Sequence, residues 1–205
     1  MGRSMSRIAY RTLWAIGCVL LAACSFPGSV RPTVKIGLSA PFEGRYRDLG
    51  YEVLYAVRLA VRERNAAGGI AGRYLVEFVA LNDFNEPQEA VIQARKMAVD
   101  AKVLGVLGGW SPEVAQAAGA EYDRLGLAFL APPVDFTTPQ GPVTPDAAFA
   151  DAYRILSGDA PPGPAAVWAY DAANRLLDAL DAAAQGGNRP DRATVQTLLE
   201  SHPPE

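Results

Sequence analysis

The sequence predicts an α/β fold: a three-layer αβα arrangement around one parallel sheet, in a single lobe. Three observations carry this. Short apolar runs alternate with amphipathic helical stretches from residue 33 to about residue 130. One run, Val103-Leu104-Gly105-Val106-Leu107, is apolar throughout, which suits a parallel strand covered on both faces. The intervening helices have the length of right-handed crossovers, so the first four strands are expected in the order 2-1-3-4.

The first strand is residues 34–38. A helix over about residues 49–67 follows, with Val53, Val57, Ala60 and Val61 on one stripe; Asp48 is its expected N-cap and Gly68-Gly69 its stop. The second strand is 74–81. Asn85-Glu86-Pro87 opens the next helix with a cap residue, an acid and a proline whose missing N–H costs nothing there, and Val91, Ala94 and Ala98 form its apolar stripe. The third strand is 103–107. Ser111-Pro112-Glu113 starts a third helix to about residue 125, and 127–130 is the fourth strand. Residues 132–164 then hold eight of the 16 prolines around one short helix, 146–156. Two more helices complete the chain: 165–184, with Tyr170, Ala173, Leu176, Leu177 and Leu180 on one side, and a last one from near Asp191.

The N-terminus reads as an export signal. Arg3, Arg7 and Arg11 precede an apolar run, residues 13–23, too short to span a bilayer. The run ends Leu21-Ala22-Ala23-Cys24, which resembles a bacterial lipobox and implies cleavage before Cys24 and lipidation of its sulfur. Residues 1–23 are thus a signal peptide and 24–32 a lipidated tether. The single lobe occupies 33–205, as strand–helix alternation (33–139), a proline-rich junction (140–164) and returning helices (165–205).

Composition excludes several functions. Without the three signal arginines, 16 basic residues face 22 acidic ones, net −6, so nothing attracts nucleic acid. Cys18 and Cys24 both precede the lobe, and the one histidine is His202. No Walker A loop, GxSxG elbow or His/Cys cluster is present, so no catalytic residue, metal site or cofactor is expected, and the chain is read as a non-enzyme.

Several segments, in order, resemble the type I periplasmic binding proteins, nearest the branched-chain amino-acid (Leu/Ile/Val) branch. They are Ala40-Pro41-Phe42-Glu43-Gly44 with Gly50; Asn65-Ala66-Ala67-Gly68-Gly69-Ile70-Ala71-Gly72; Leu81-Asn82-Asp83; Gly105 with Gly108; and Ala169-Tyr170-Asp171-Ala172. The resemblance implies a Rossmann-like first lobe. The pattern passes from about Pro139 almost directly to the late helices of that same lobe, so the family's second lobe is missing from it. By resemblance the chain is an extracytoplasmic solute-binding lipoprotein of an ABC-type importer, taking a small carboxylate-bearing solute such as an amino acid. An ABC permease, the membrane through its lipid anchor, and a homodimer or second-lobe partner are the implied associations. The alternative is a surface interaction or sensory lobe without transport, or a truncated, binding-deficient relative.

Ligands of open parallel sheets sit beyond the carboxyl ends of the strands, here on loops 40–49, 82–85, 108–111 and 131–136. The expected ligand-binding residues are Arg45, Tyr46, Leu49, Asp83, Gly109, Trp110, Ser111, Pro133 and Asp135. Five of them also have a structural reading: Ser111 as a helix cap, Trp110 as a plug over the sheet, Asp83 as a turn stabiliser, Arg45 and Tyr46 as solvated loop residues. Trp168 and Tyr170 are expected in the core.

Overall fold

A computed structural model describes residues 31–201. The expected signal segment, Cys24, the expected tether up to residue 30, and His202 lie outside the described residues. Four parallel strands, β1 (Thr33–Ala40), β2 (Leu75–Asn82), β3 (Val103–Leu107) and β4 (Ala128–Leu130), form one sheet in the order β2-β1-β3-β4. This is the expected order. Six α-helices accompany it: α1 (Arg47–Ala66), α2 (Pro87–Val99), α3 (Pro112–Arg124), α4 (Ala147–Ser157), α5 (Pro164–Ala183) and α6 (Arg192–Ser201).

Helices α2 and α3 cover one face of the sheet, where Ala90, Ala94, Met97, Val114 and Tyr122 pack on Val103 and Val106. Helices α1 and α5 cover the other, over Ile36, Leu38, Leu104 and Leu107, with α6 beside α5 and α4 against α1. All five residues of β3 are buried, which is why its sequence shows no alternation. Helix α5 lies close because its inner face is mostly alanine, and because Gly105 leaves room for Leu176: a Cβ there would stand 2.5 Å from Leu176 Cδ1.

Some local expectations needed correction. Helix α1 begins one residue before Asp48, which therefore lies inside the first turn; the cap position is Tyr46, with no side-chain cap bond. Asp48 still suits the helix dipole there. The cap of α2 is Glu86, because Asn85 takes a left-handed φ of 56° that no cap residue adopts. The buried stripe of α2 is Ala90, Gln93, Ala94 and Met97, rotated from the expected one because the helix is set on the sheet through Met97 against Gly37. Trp168 and Tyr170 are only half-buried.

Long-range polar contacts fix the frame. The Asn65 amide pairs with the Val76 backbone in both directions, at 2.8 Å each, so it pins the turn after α1 to β2. Arg192 donates to the carbonyls of Val103, Ala98 and Asp100 at 2.8–3.0 Å, tying α6 to the turn before β3. Glu52, in the second turn of α1, accepts from Ala166 N at 2.9 Å and so caps α5 from 114 residues away.

Candidate functional site

The carboxyl ends of the strands and the first turns of α1, α2 and α3 gather four loops at one end of the sheet. Loop by loop, the geometry separates residues that could meet a ligand from those that hold the loops.

After β1, the chain turns so tightly that a Cβ at Gly50 would lie 1.9 Å from Pro41 O, which is why glycine stands there. Phe42 N donates to Asn82 Oδ1 (2.9 Å), and Phe84 N to the same oxygen (3.1 Å), so Asn82 staples the first loop to the second. Asp83 is fully buried; its carboxylate accepts from Ser39 Oγ (2.7 Å) and Asn85 N (2.9 Å). Burial raises the Asp83 carboxyl above its ordinary range, opposed by the Asn85 N–H and Ser39 hydroxyl. Asp83 thus has no surface to offer a ligand in this conformation.

After β3, Gly109 adopts φ +76°, and a Cβ on it would stand 2.7 Å from Ala115 Cα. That turn sends Trp110 inward. Trp110 is 0% exposed, donates from Nε1 to Ser39 O (2.8 Å), and meets Trp168 edge-on at 5.6 Å. It plugs the end of the sheet. Ser111 is buried at the N-cap position of α3, yet its hydroxyl makes no capping bond. The first-turn N–H groups of α3 consequently lack a side-chain acceptor.

After β4, Phe136 N donates to Trp110 O (3.0 Å) and its ring lies 6.2 Å from Trp110, so the fourth loop folds onto the plug. Asp135 is engaged locally, accepting from Thr137 N (2.9 Å) and the Thr137 hydroxyl. Pro133 is exposed.

Of the nine expected residues, Arg45, Tyr46, Leu49, Pro133 and Asp135 keep some solvent-accessible surface, while Asp83, Gly109, Trp110 and Ser111 are buried beneath or between the loops. Arg45 lies over the Tyr46 ring at 5.4 Å, and Arg47 over Tyr51 at 5.1 Å. Glu43, Asp48, Glu86 and Glu113, in the same loops or the first turns and caps of the helices that follow them, are exposed. The rim thus carries both signs, with exposed acids able to meet a positive group, and the uncapped α3 terminus suits a negative one. Among the described residues, no three His, Cys, Asp or Glu side chains converge to hold a metal.

Sequence reasoning missed Ser39, Asn82, Phe136 and Thr137. Thr137 is a hydroxyl in the loop after β4, just beyond residues 131–135, the stretch matched to the family. Asn82 and Asp83 are neighbouring polar residues at a strand end, and nothing local says which one faces the loop.

Residues 33–146 match the family model described as Periplasmic binding protein. The Leu/Ile/Val-binding protein homolog 1 of Brucella abortus (strain 2308) is 29% identical over 122 residues, covering 60% of this chain and 32% of that protein. The chain therefore matches about a third of the length of its curated relative. A crystal structure from Rhodospirillum rubrum superposes with TM-score 0.69 at 17% identity, covering 82% of this chain and 88% of that one. The branched-chain amino acid transporter substrate binding protein LivJ of Streptococcus pneumoniae, solved in complex with isoleucine, gives TM-score 0.67 at 15% identity, covering 82% and 87%. These two likenesses establish the fold.

Proposed function

Since this chain belongs to the periplasmic binding protein family, we propose that it binds a small carboxylate-bearing solute, an amino acid, outside the cytoplasm for an ABC-type importer. In this reading Cys24 carries the lipid anchor, and the mouth is the loop cluster at the carboxyl ends of β1 to β4. The observation that carries the reading is the α3 terminus: Ser111 sits at the cap with its hydroxyl unused for capping. Its free first-turn N–H groups, with their partial positive charge, suit a carboxylate. The exposed acids of the rim suit the same molecule's ammonium group. Arg45, Tyr46, Leu49, Pro133 and Asp135 border that mouth. Asp83, Gly109 and Trp110 shape its floor.

One lobe encloses a small ligand on one side only, and tight sites bury most of their ligand. Affinity of the monomer is therefore expected on the order of millimolar, about −4 kcal/mol. A second copy or a separate second-lobe protein would supply the opposite wall.

Isothermal titration of the monomer against a panel of amino acids tests the proposal. Weak binding of at least one amino acid is expected, with Ser111→Ala losing roughly 1 kcal/mol of affinity. Absence of heat with every amino acid, or an unchanged affinity in Ser111→Ala, would count against it. Cys24→Ala should leave the membrane fraction or remain unprocessed; identical fractionation, with no fatty-acid labelling of either protein, would refute the anchor.

A further inference from the structure

Strand β4 ends the sheet, and nothing among the described residues pairs with its outer side. Gly108 N donates to Leu130 O at 3.1 Å, so the Leu130 backbone points toward β3. Strand alternation then turns the N–H and C=O of Phe129 the other way, to the free edge. A groove of about 760 Å³ runs along that edge. Phe129, Leu130 and Pro133 form its near side, and Trp168 and Leu199, from α5 and α6, are apolar residues opposite. An unpaired donor and acceptor beside apolar pockets is the arrangement that receives an added strand.

The charge around the groove selects the occupant. Asp123, Asp171 and Glu200 line it, all exposed, and none of the three forms an ion pair among the described residues. The lining's one cation, Arg175, donates to Leu199 O at 2.8 Å. A second copy paired through its own β4 would bring the same acids face to face, which like-charge repulsion opposes. Pro132 and Pro133 follow β4 after the single residue Ala131 and cannot donate to a ladder, so the added strand is short.

We propose that the β4 edge docks a short extended segment of a partner protein, apolar at its centre and basic at its ends, as a fifth strand. This inference is separate from the solute reading, since the groove shares only Ala131 and Pro133 with the loops of the expected mouth.

The probe is the fluorescein-labelled peptide Lys-Val-Thr-Val-Thr-Lys, titrated with the full chain and followed by fluorescence polarisation. Two controls accompany it: a Glu-ended version, and a Lys-ended version with proline at both threonines. The Lys-ended peptide is expected to bind at least tenfold tighter than either control, and less tightly as salt rises. The exposed changes Asp171→Lys and Glu200→Lys together should reverse the preference between Lys and Glu ends, with circular dichroism confirming the fold. If that pair unfolds, each single change should shrink the preference. Equal binding of the proline peptide would show charge attraction without strand pairing, and would overturn the proposal. So would no binding at millimolar peptide, a preference unmoved by the charge changes, or a dimer that the charge changes dissolve.

Discussion

Gly109→Ala should be among the costliest single-methyl additions to this chain, and the structure separates its two causes. The residue has φ +76°. Left-handed backbone costs a non-glycine residue about 1 kcal/mol. The added methyl would also stand 2.7 Å from Ala115 Cα and 2.9 Å from Ala115 Cβ. Carbon atoms rest about 3.5–4 Å apart, so α3 must give by nearly 1 Å. Ala115 is held in the first turn by Ala115 N donating to Ser111 O (2.9 Å), so the backbone itself has to move. Overpacking of this kind costs about 1–3 kcal/mol, giving a total near 3 kcal/mol. Gly126→Ala is the control: φ is +61°, and nothing lies within 4 Å of the new methyl. It should lose only the backbone part, about 1 kcal/mol. For a protein of this size, Tm should fall roughly 6–12 °C in the first variant and 2–4 °C in the second. Urea unfolding followed by far-ultraviolet circular dichroism and tryptophan fluorescence measures both, since Trp110 and Trp168 adjoin the loop. If the two losses agree within about 0.5 kcal/mol, contact with Ala115 is not what requires glycine at position 109.

Two further outcomes follow from buried polar groups. Burial raises the Glu52 carboxyl above its ordinary 4.5, against the opposing pull of the Ala166, Ala165 and Gly163 N–H groups. The folded chain then binds more protons than the unfolded one, so this group's contribution to stability declines as pH rises from about 4.5 through the folded value. Glu52→Gln keeps an acceptor for α5 and should flatten that decline; superimposable pH profiles of the urea midpoint would contradict the assignment. The Tyr122 hydroxyl is buried with no hydrogen-bond partner, and burial raises its pKa. Tyr122→Phe should therefore be neutral or stabilising by up to about 1 kcal/mol, and a loss of more than 1 kcal/mol in urea unfolding would reveal a partner.

The sequence by itself determined the alternation of strands and helices, the 2-1-3-4 order and the family. Those features are written in local periodicity: burial on both faces leaves Val103–Leu107 wholly apolar, and a glycine pair ends the stretch around α1. Gly109 stands in the sequence as an expected ligand-binding residue; the neighbour it makes room for, Ala115, became visible only in three dimensions. The division of labour among the loop residues depended on tertiary structure. Asn82 and Asp83 are chemically alike in sequence, but one staples two loops and the other is sealed under Ser39. Trp110 had equal claims as ligand platform and plug until the Ser39 carbonyl was seen to hold its indole. Glu52 caps a helix 114 residues away, a distance at which no local pattern forms. The free edge of β4 is the clearest case. Residues 128–130 read as a strand whether or not another pairs with them, because being an edge depends on what lies beside the strand in space.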